Sequence, residues 1–561
     1  MIESTNKDLL WALYYESDAF SIGGDRIMGR QAAGHSMLKA YANDPCKHIG
    51  VYTKSKNFFD GFIDEFKPLL PQDAPNDIDI TYIPFSNAQN LKQFGGIFLP
   101  SPDLQNLSDQ RYFFGSNNHS IVGITHTTAS QGVIDSLLNC YTSSLMPWDS
   151  LICTSRSVKN SINNIYEQYS DILKLRLGAT KRPSFELPII PLGVHLDDYE
   201  LDDEEKYINR DSLGIKENDI VILFLGRLSF HAKAHHIPMY IALEEVSKSL
   251  PKDVDLHLVQ TGWFANEAIE SMFMNDSKII SPSIKCHFLD GRDQNIKKLS
   301  YSVADIFVSL VDNFQETFGL TPLEGMASGL PVVVSDWDGY RDTVRDSIDG
   351  FRIRTTTMRP GSGYNYALRH NLSLDNYDHY IGRTSQTVSI DINECIEKVL
   401  LLAKNKELRL KLGANARQRA KEFDWTIILK KYRELKVELD KKREFSITDN
   451  QTFLPPARIQ DPYTFFSDYP TYTINDNTVI SCNNIIKEIS INELYELNSI
   501  TFLDGVAPDP NSVEKIYIFI KETNIISFKS LMLHFKIDYL LLAKIILWLS
   551  KYGYLSLKNE K

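Results

Sequence analysis

The sequence predicts an α/β protein built from two successive open parallel sheets, followed by a small, mostly helical unit. Three observations lead there. Short apolar runs without polar alternation recur along the chain, which suits strands buried on both faces. Helix-like stretches separate them, as in strands joined by crossover helices. The pattern is interrupted by the acidic stretch DDYELDDEEKY (197–207) and restarts at Asp219, so the chain reads as two sheets. That acidic stretch reads as a solvated link between domains, not as a cation site.

In the first domain, residues 1–200, the expected strands are LLWALYY (9–15), HIGVYT (48–53), GGIFLP (95–100), SIVGIT (120–125), SLICTS (150–155) and LPIIPLG (187–193). Helices are expected around IMGRQAAGHSMLKAYA and VKNSINNIYEQYSDILKL. In the second domain, residues 201–425, the strands are DIVILFLG (219–226), DLHLVQTG (255–262), IKCHFLDG (284–291), ADIFVSL (304–310) and PVVVSDWDG (331–339). Residues 354–388 show no period and read as a loop insertion. Helical pattern fills 391–423, and a last helix at 426–445 is expected to cross back to the first domain. A Pro-, Asp-, Ser- and Tyr-rich linker follows at 446–475. The unit at 476–561 reads as three helices and a final strand with the rhythm of a winged helix.

Composition narrows the function classes. The 561 residues are 43% hydrophobic and 24% charged, ordinary for a globular chain and unlike a disordered one. The net charge of −12 disfavours wholesale binding to nucleic acid or anionic membrane. The six cysteines form no C-x-x-C pair, which speaks against a disulfide scaffold or cysteine zinc site and for a reducing compartment. The N-terminal segment has acids where a secretory signal needs basic residues, its apolar stretch LLWALYY is too short for a signal core, and no apolar run approaches the ~20 residues of a membrane helix. A cytoplasmic protein is the expectation.

The most informative segment is QETFGLTPLEGMASGLPVVVSDWDG (315–339). Glu316 and Glu324 flank Phe318, Gly319, Leu320 and Thr321. Thr321 suits an N-cap, Pro322 the first helical position and Gly329 the exit. Thr321 to Glu324 also matches a capping box. With a buried strand just before it, this reads as strand, glycine loop, then helix at the carboxyl edge of a sheet. Ligands bind at that edge, and free amides at a helix start attract phosphate.

This segment resembles the signature of retaining glycosyltransferases of the GT-B fold, in particular glycosyltransferase family four. LFLGRLSFHAKAH (223–235) resembles the same family's glycine-arginine-leucine…lysine segment at Gly226, Arg227 and Lys233. FSIGGDRIMGRQAAGHSMLKAYA (20–42) resembles its first glycine loop, IPLGVHLDDY (190–199) its linker strand, HFLDGRDQNIKKLSYSVADIFVSL (287–310) its base-pocket region, and DGYRDTVRDSIDGF (338–351) the loop and strand that follow. The likeness runs in order over residues 9–440. Ala234 stands where the family usually has glycine after the lysine, and the 354–388 insertion lies outside the minimal pattern.

The resemblance implies two Rossmann-like domains facing across a cleft. It implies transfer of a sugar, with retained anomeric configuration, from a nucleoside-diphosphate sugar to a hydroxyl of a glycan, small molecule or protein. Arg227 and Lys233 would neutralise the leaving diphosphate with amides near Gly319, Leu320 and Thr321. Glu324 would hold the ribose, Glu316 a hydroxyl of the donor sugar, and His126 the sugar or acceptor. Gly226 and Phe318 belong to the same donor motifs, and Gly23 and Gly24 would let backbone approach the diphosphate. No cofactor and no metal are expected beside the donor. Asp336-Trp337-Asp338 and Asp77-Ile78-Asp79 spell D-x-D, but the former ends a strand and the pattern is common by chance. The alternative is a non-catalytic nucleotide-sugar-binding or scaffold protein that keeps this fold. Residues 512–561 hold eight lysines against four acidic residues, yet the third helix is apolar, so nucleic acid is not the expected partner. Peripheral membrane contact and homo-oligomerisation stay open.

Overall fold

A computed structural model describes residues 10–22, 29–44, 48–72, 78–200, 203–445, 455–483 and 489–558. The chain divides into two compact units, Met1–Ile459 and Gln460–Lys561.

The larger unit holds both expected sheets. In the first, strands β1 (Ala12–Tyr14), β2 (His48–Thr53), β3 (Asp79–Pro84), β4 (Gly96–Leu99), β5 (Ser120–Ile124) and β6 (Ser150–Ile152) lie in the order β3-β2-β1-β4-β5-β6. In the second, β7 (Ile220–Leu225), β8 (Leu256–Gly262), β9 (Lys285–Asp290), β10 (Ile306–Ser309), β11 (Val332–Ser335) and β12 (Gly350–Ile353) lie in the order β9-β8-β7-β10-β11-β12. All pairs in both sheets are parallel. Each is therefore a doubly wound Rossmann-type sheet whose order reverses beside its first strand, leaving a crevice at the carboxyl ends there. Every residue of β5, β7, β10 and β11 is buried, which explains why their sequences run apolar without alternation.

LPIIPLG forms no seventh strand. Within it only Ile189 makes an isolated bridge, to Cys153, because Pro188 and Pro191 bring no N–H to a ladder. The helix Trp425–Phe445 does cross back. Trp425 donates from Nε1 to Ser36 Oγ at 2.7 Å. Tyr432 packs on Trp11 and Phe98, and Arg443 reaches Ser120 Oγ at 2.7 Å.

The insertion at 354–388 is ordered, contrary to the loop reading. Strands β13 (Thr355–Thr356) and β14 (Ser389–Ile390) pair antiparallel at its base. They enclose two helices, Tyr364–Asn371 and Tyr377–Ser385. Each helix is too short for a period to show in sequence. Asp375 binds Arg369 at 2.8 Å and Arg383 at 3.0 Å and so locks the pair together. Asn376 caps the second helix by accepting the amide of His379 at 2.8 Å.

The smaller unit carries β15 (Val479–Cys482), β16 (Ile525–Ser527) and β17 (Leu555–Lys558) in an antiparallel sheet of order β16-β15-β17. The helices Pro510–Thr523, Phe528–Phe535 and Tyr539–Lys551 are those the sequence predicts, and a short helix Ile491–Tyr495 precedes them. The reading of a single strand missed β15 and β16, whose residues are mostly only partly buried. The core gathers Ile480, Ile516, Phe528, Leu542, Ile546 and Leu549, so most of the apolar third helix is used internally.

Candidate active site

The carboxyl ends of β5, β7, β8 and β10 converge on one cavity of about 410 Å³. Thr125, His126 and Thr127 line it from the first sheet, and Gly226, Arg227, Lys233 and the segment Gln315–Thr321 from the second. Ten of the twelve residues singled out from sequence thus reach one place. Gly23 and Gly24 lie outside the described residues.

Backbone form sets this wall. Gly226, directly after β7, has φ +151°, and a Cβ on Gly262 would sit 1.9 Å from the Gly226 carbonyl oxygen. Gly319 has φ +82°, and its added Cβ would lie 1.9 Å from the Tyr340 ring. Only glycine fits there. Gly319 is also the N-cap of the helix Leu320–Ala327, so the helix starts ahead of the Thr321–Pro322 start that the sequence suggests. Gly329 leaves it at φ +79°, as read from sequence.

Thr321 and Glu324 do not form a capping box. Thr321 Oγ1 is buried without a hydrogen-bond partner, although the residue lines the cavity. Glu324 turns instead to Lys297 Nζ at 2.8 Å and the Tyr301 hydroxyl at 2.7 Å. Burial works to raise its carboxyl. The Lys297 charge and the bonds from Lys297, Tyr301 and Tyr199 outweigh it, so the carboxylate stays below its ordinary range. These partners make Glu324 a fixed acceptor on the cavity wall. Lys297 lies inside the quoted 287–310 segment, but nothing in the spacing marks it or the two tyrosines.

Lys233 Nζ donates to Glu316 Oε2 in a partly buried ion pair. Burial again opposes ionisation of Glu316. The Lys233 charge and bond, with the amides of Thr317 and Phe318, hold its carboxyl below the usual range. Phe318 contributes through its backbone, since its side chain is buried. Arg227 donates to the Ala232 carbonyl at 3.0 Å. Burial lowers the Arg227 guanidinium, opposed by the charges of Asp378, Tyr377 and Glu316. Ala234 sits in the missing glycine's place without strain, since it is absent from the positive-φ positions, and its amide bonds Ser229 O at 3.3 Å.

His126 Nε2 donates to the Pro100 carbonyl oxygen, 3.2 Å away. Burial and then the Arg30 charge push its imidazole down to about 4, so it is neutral near pH 7. Its carbonyl accepts from Thr317 Oγ1, a direct link between the sheets. Two more links close the cleft. Ser155 Oγ donates to Asp338 Oδ1 at 3.1 Å, and Arg156 Nε donates to Asp342 at 2.6 Å. Asp338 is thereby occupied, and Asp336 lies by Arg341 and Arg352. Asp77 lies outside the described residues. Among the described residues one cluster could hold a cation, Asp219, Asp255 and His257. It lies at the amino ends of β7 and β8, the opposite edge of the sheet, where Lys216 and Lys285 already pair with Asp255.

Residues 205–359 match the family model of glycosyl transferases group 1. The chain carries a glycosyl transferases group 1 domain. The match contains Gly226, Arg227, Lys233, Glu316 and Glu324. Similar curated proteins include an uncharacterized glycosyltransferase of Methanocaldococcus jannaschii, 24% identical over 203 residues, covering 36% of this chain and 46% of that protein. A D-inositol 3-phosphate glycosyltransferase of Geodermatophilus obscurus is 30% identical over 175 residues, covering 29% of this chain and 36% of the other. The aligned part thus spans less than half the length of these relatives. Among solved structures, Anabaena HepE in complex with UDP-glucose is similar at a TM-score of 0.47 and 15% identity, over 76% of this chain and all of that one.

Proposed function

We propose that the chain is a retaining glycosyltransferase that moves a sugar, metal-independently, from a nucleoside-diphosphate sugar to a hydroxyl-bearing acceptor. The observation that carries this is the Lys233–Glu316 pair beside Arg227 and the amino end of the helix Leu320–Ala327, all on one cavity. A diphosphate gains negative charge as it leaves, and two cations with free helix amides oppose that charge most in the transition state. Glu316 would accept a hydroxyl of the donor sugar, releasing Lys233 toward phosphate. Glu324 would accept the ribose hydroxyls, held in place by Lys297 and Tyr301. Neutral His126 would contact the sugar or acceptor from the first sheet. In the same-face reaction that the family resemblance implies, the anomeric carbon–phosphate oxygen bond breaks. The acceptor oxygen bonds the same face, and its proton passes to the departing phosphate oxygen. Such a step needs no enzymic base, and Glu316 is not cast as a nucleophile.

The acceptor is a glycan, small molecule or protein hydroxyl, and the unit after Ile459, read as a winged-helix-like fold, presents it or supports oligomerisation. A cytoplasmic site of action agrees with the five free cysteines among the described residues. No helix among those residues is long and apolar enough to cross a membrane. The test is a panel of nucleotide sugars with product stereochemistry by proton NMR, run with and without excess chelator. Transfer with retention in chelator supports the reading. An inverted linkage, or activity that returns only with manganese, contradicts it. Tight nucleotide-sugar binding without any turnover would favour the scaffold alternative.

A further inference from the structure

The two sheets are joined at the start of the helix Arg156–Leu177, which follows β6. Ser155 is the N-cap of that helix. Its Oγ accepts the Val158 amide at 3.2 Å and donates to Asp338 Oδ1 at 3.1 Å. Arg156 gives its backbone amide to Asp342 Oδ2 at 2.7 Å and its Nε to Asp342 Oδ1 at 2.6 Å. Two carboxylates from the second sheet thus sit where the free amides of a 22-residue helix make its positive end. The turn that carries them follows β11 and includes the one-turn helix Tyr340–Thr343. It lies directly on the glycine loop of the cavity. A Cβ on Gly339 would be 2.5 Å from Phe318 Cα and 2.7 Å from the Thr317 carbonyl oxygen, and the Tyr340 ring backs Gly319. From the far side, Arg419 donates to the carbonyls of Asp342 and Thr343 at 2.9 and 3.3 Å and fixes the turn's shape.

We propose that Asp342 is a positioning residue whose carboxylate seats the Asp338–Thr343 turn on the helix start of the first sheet, and through that turn sets the Thr317–Gly319 loop against His126. The loop is held on both sides. Thr317 Oγ1 donates to the His126 carbonyl on one, and the Gly339–Tyr340 backbone packs on the other. Neither Asp342 nor Arg156 lines the cavity. Asp342 therefore acts through the loop, keeping the wall that carries Glu316 and the amides after Gly319 in register with the wall that carries His126. Such register is what a transfer between groups on two walls requires, and a small misplacement is costly.

This inference rests on the transfer reaction proposed above, and the test separates the two. Arg156 is 69% exposed and Asp342 only 18%, so a change at Arg156 leaves the core untouched. Arg156→Glu sets a like charge against Asp342, and Asp342→Ala removes the carboxylate from both of its donors. Each should lower kcat roughly five- to tenfold, the worth of about one hydrogen bond to a charged group near the surface. Nucleoside-diphosphate affinity, read by calorimetry, should stay at the wild-type value. Salt supplies a readout that a merely structural role would not move. About 0.5 M NaCl screens the new repulsion, so Arg156→Glu should recover kcat relative to the wild type at the same salt. Asp342→Ala has no charge left to screen and should keep its deficit. Amide hydrogen exchange needs no turnover. Arg156→Glu, a change in the first sheet's helix, should speed exchange at 316–320 and 340–344 in the second. Wild-type kcat in both variants, a deficit in Arg156→Glu that salt leaves unchanged, or unaltered exchange in both segments would each overturn the positioning role. Absence of transfer by the wild-type protein would overturn the reaction, and exchange would then decide the role of Asp342 alone.

Discussion

Lys233 and Glu316 satisfy each other in a partly buried pair, and removing one side leaves the other charge without its partner. Lys233→Ala therefore has two effects. It removes a cation from the cavity and takes from Glu316 the charge that helps hold its carboxyl below the usual range. We expect Lys233→Ala and Arg227→Ala each to lose about 2–4 kcal/mol of transition-state stabilisation, read as a fall in kcat/KM. Wild-type kcat/KM in both would exclude a role for them at the phosphates. Asp338 makes a second prediction, on stability. Burial first, then the Glu316 charge, raise its carboxyl to about 7. The folded protein binds this proton more tightly than the unfolded chain. The contribution is whole below the ordinary carboxylate range and is lost as pH rises through about 7. Asp338→Asn, at a φ of +39° that asparagine tolerates, should therefore raise Tm more at pH 8 than at pH 4. Equal gains at both pH values would contradict this. The charged residues of the cavity were legible in sequence because glycines and a strand frame them at fixed spacing. Gln315 was passed over as a neighbour of Glu316. Lys297 and Tyr301 were not legible, because their roles come from contacts with Glu324 more than twenty residues along the chain.

Elements place these residues through a few close approaches. The helix Leu320–Ala327 starts where it does because Gly319 alone can turn the chain against Tyr340. Gly319→Ala must move either the helix start or the tyrosine, whose hydroxyl bonds Ser309 at 3.0 Å. We expect a loss of roughly 1–3 kcal/mol in folding stability from the strained backbone, with nucleoside-diphosphate binding weakened beyond calorimetric detection. Unchanged binding in a folded Gly319→Ala protein would mean that the helix amides are not the phosphate site. The sequence read this element correctly as a helix after a glycine loop but misread its start. A capping box and a carboxylate held by lysine and tyrosine look identical in a linear pattern. The two insertion helices escaped for a similar reason: their order comes from Asp375 bridging two arginines, not from an apolar stripe.

At the scale of the whole molecule, two sheets of one topology form a single compact unit with the crossing helix Trp425–Phe445, and that unit ends at Ile459. Fully buried strands with crossover helices carry a strong sequence pattern, so this architecture was readable, whereas the three partly exposed strands from Val479 onward were mostly not. The second unit has its own core around Ile480, Phe528 and Ile546. A unit with its own core can fold alone and need not support the fold of its neighbour. The cavity residues all lie before Ile459. Removing Gln460–Lys561 should therefore leave a folded protein that binds nucleoside diphosphate as the whole chain does, shown by calorimetry. If the second unit presents the acceptor or joins copies, the shortened protein should lose transfer to the acceptor or change its mass in light scattering. Unchanged acceptor kinetics with unchanged mass would exclude both roles. Loss of nucleotide binding would instead show that the catalytic unit depends on its neighbour. Salt-sensitive, sequence-selective DNA binding by residues 460–561 alone would assign the unit to nucleic acid, against the expectation from its apolar third helix.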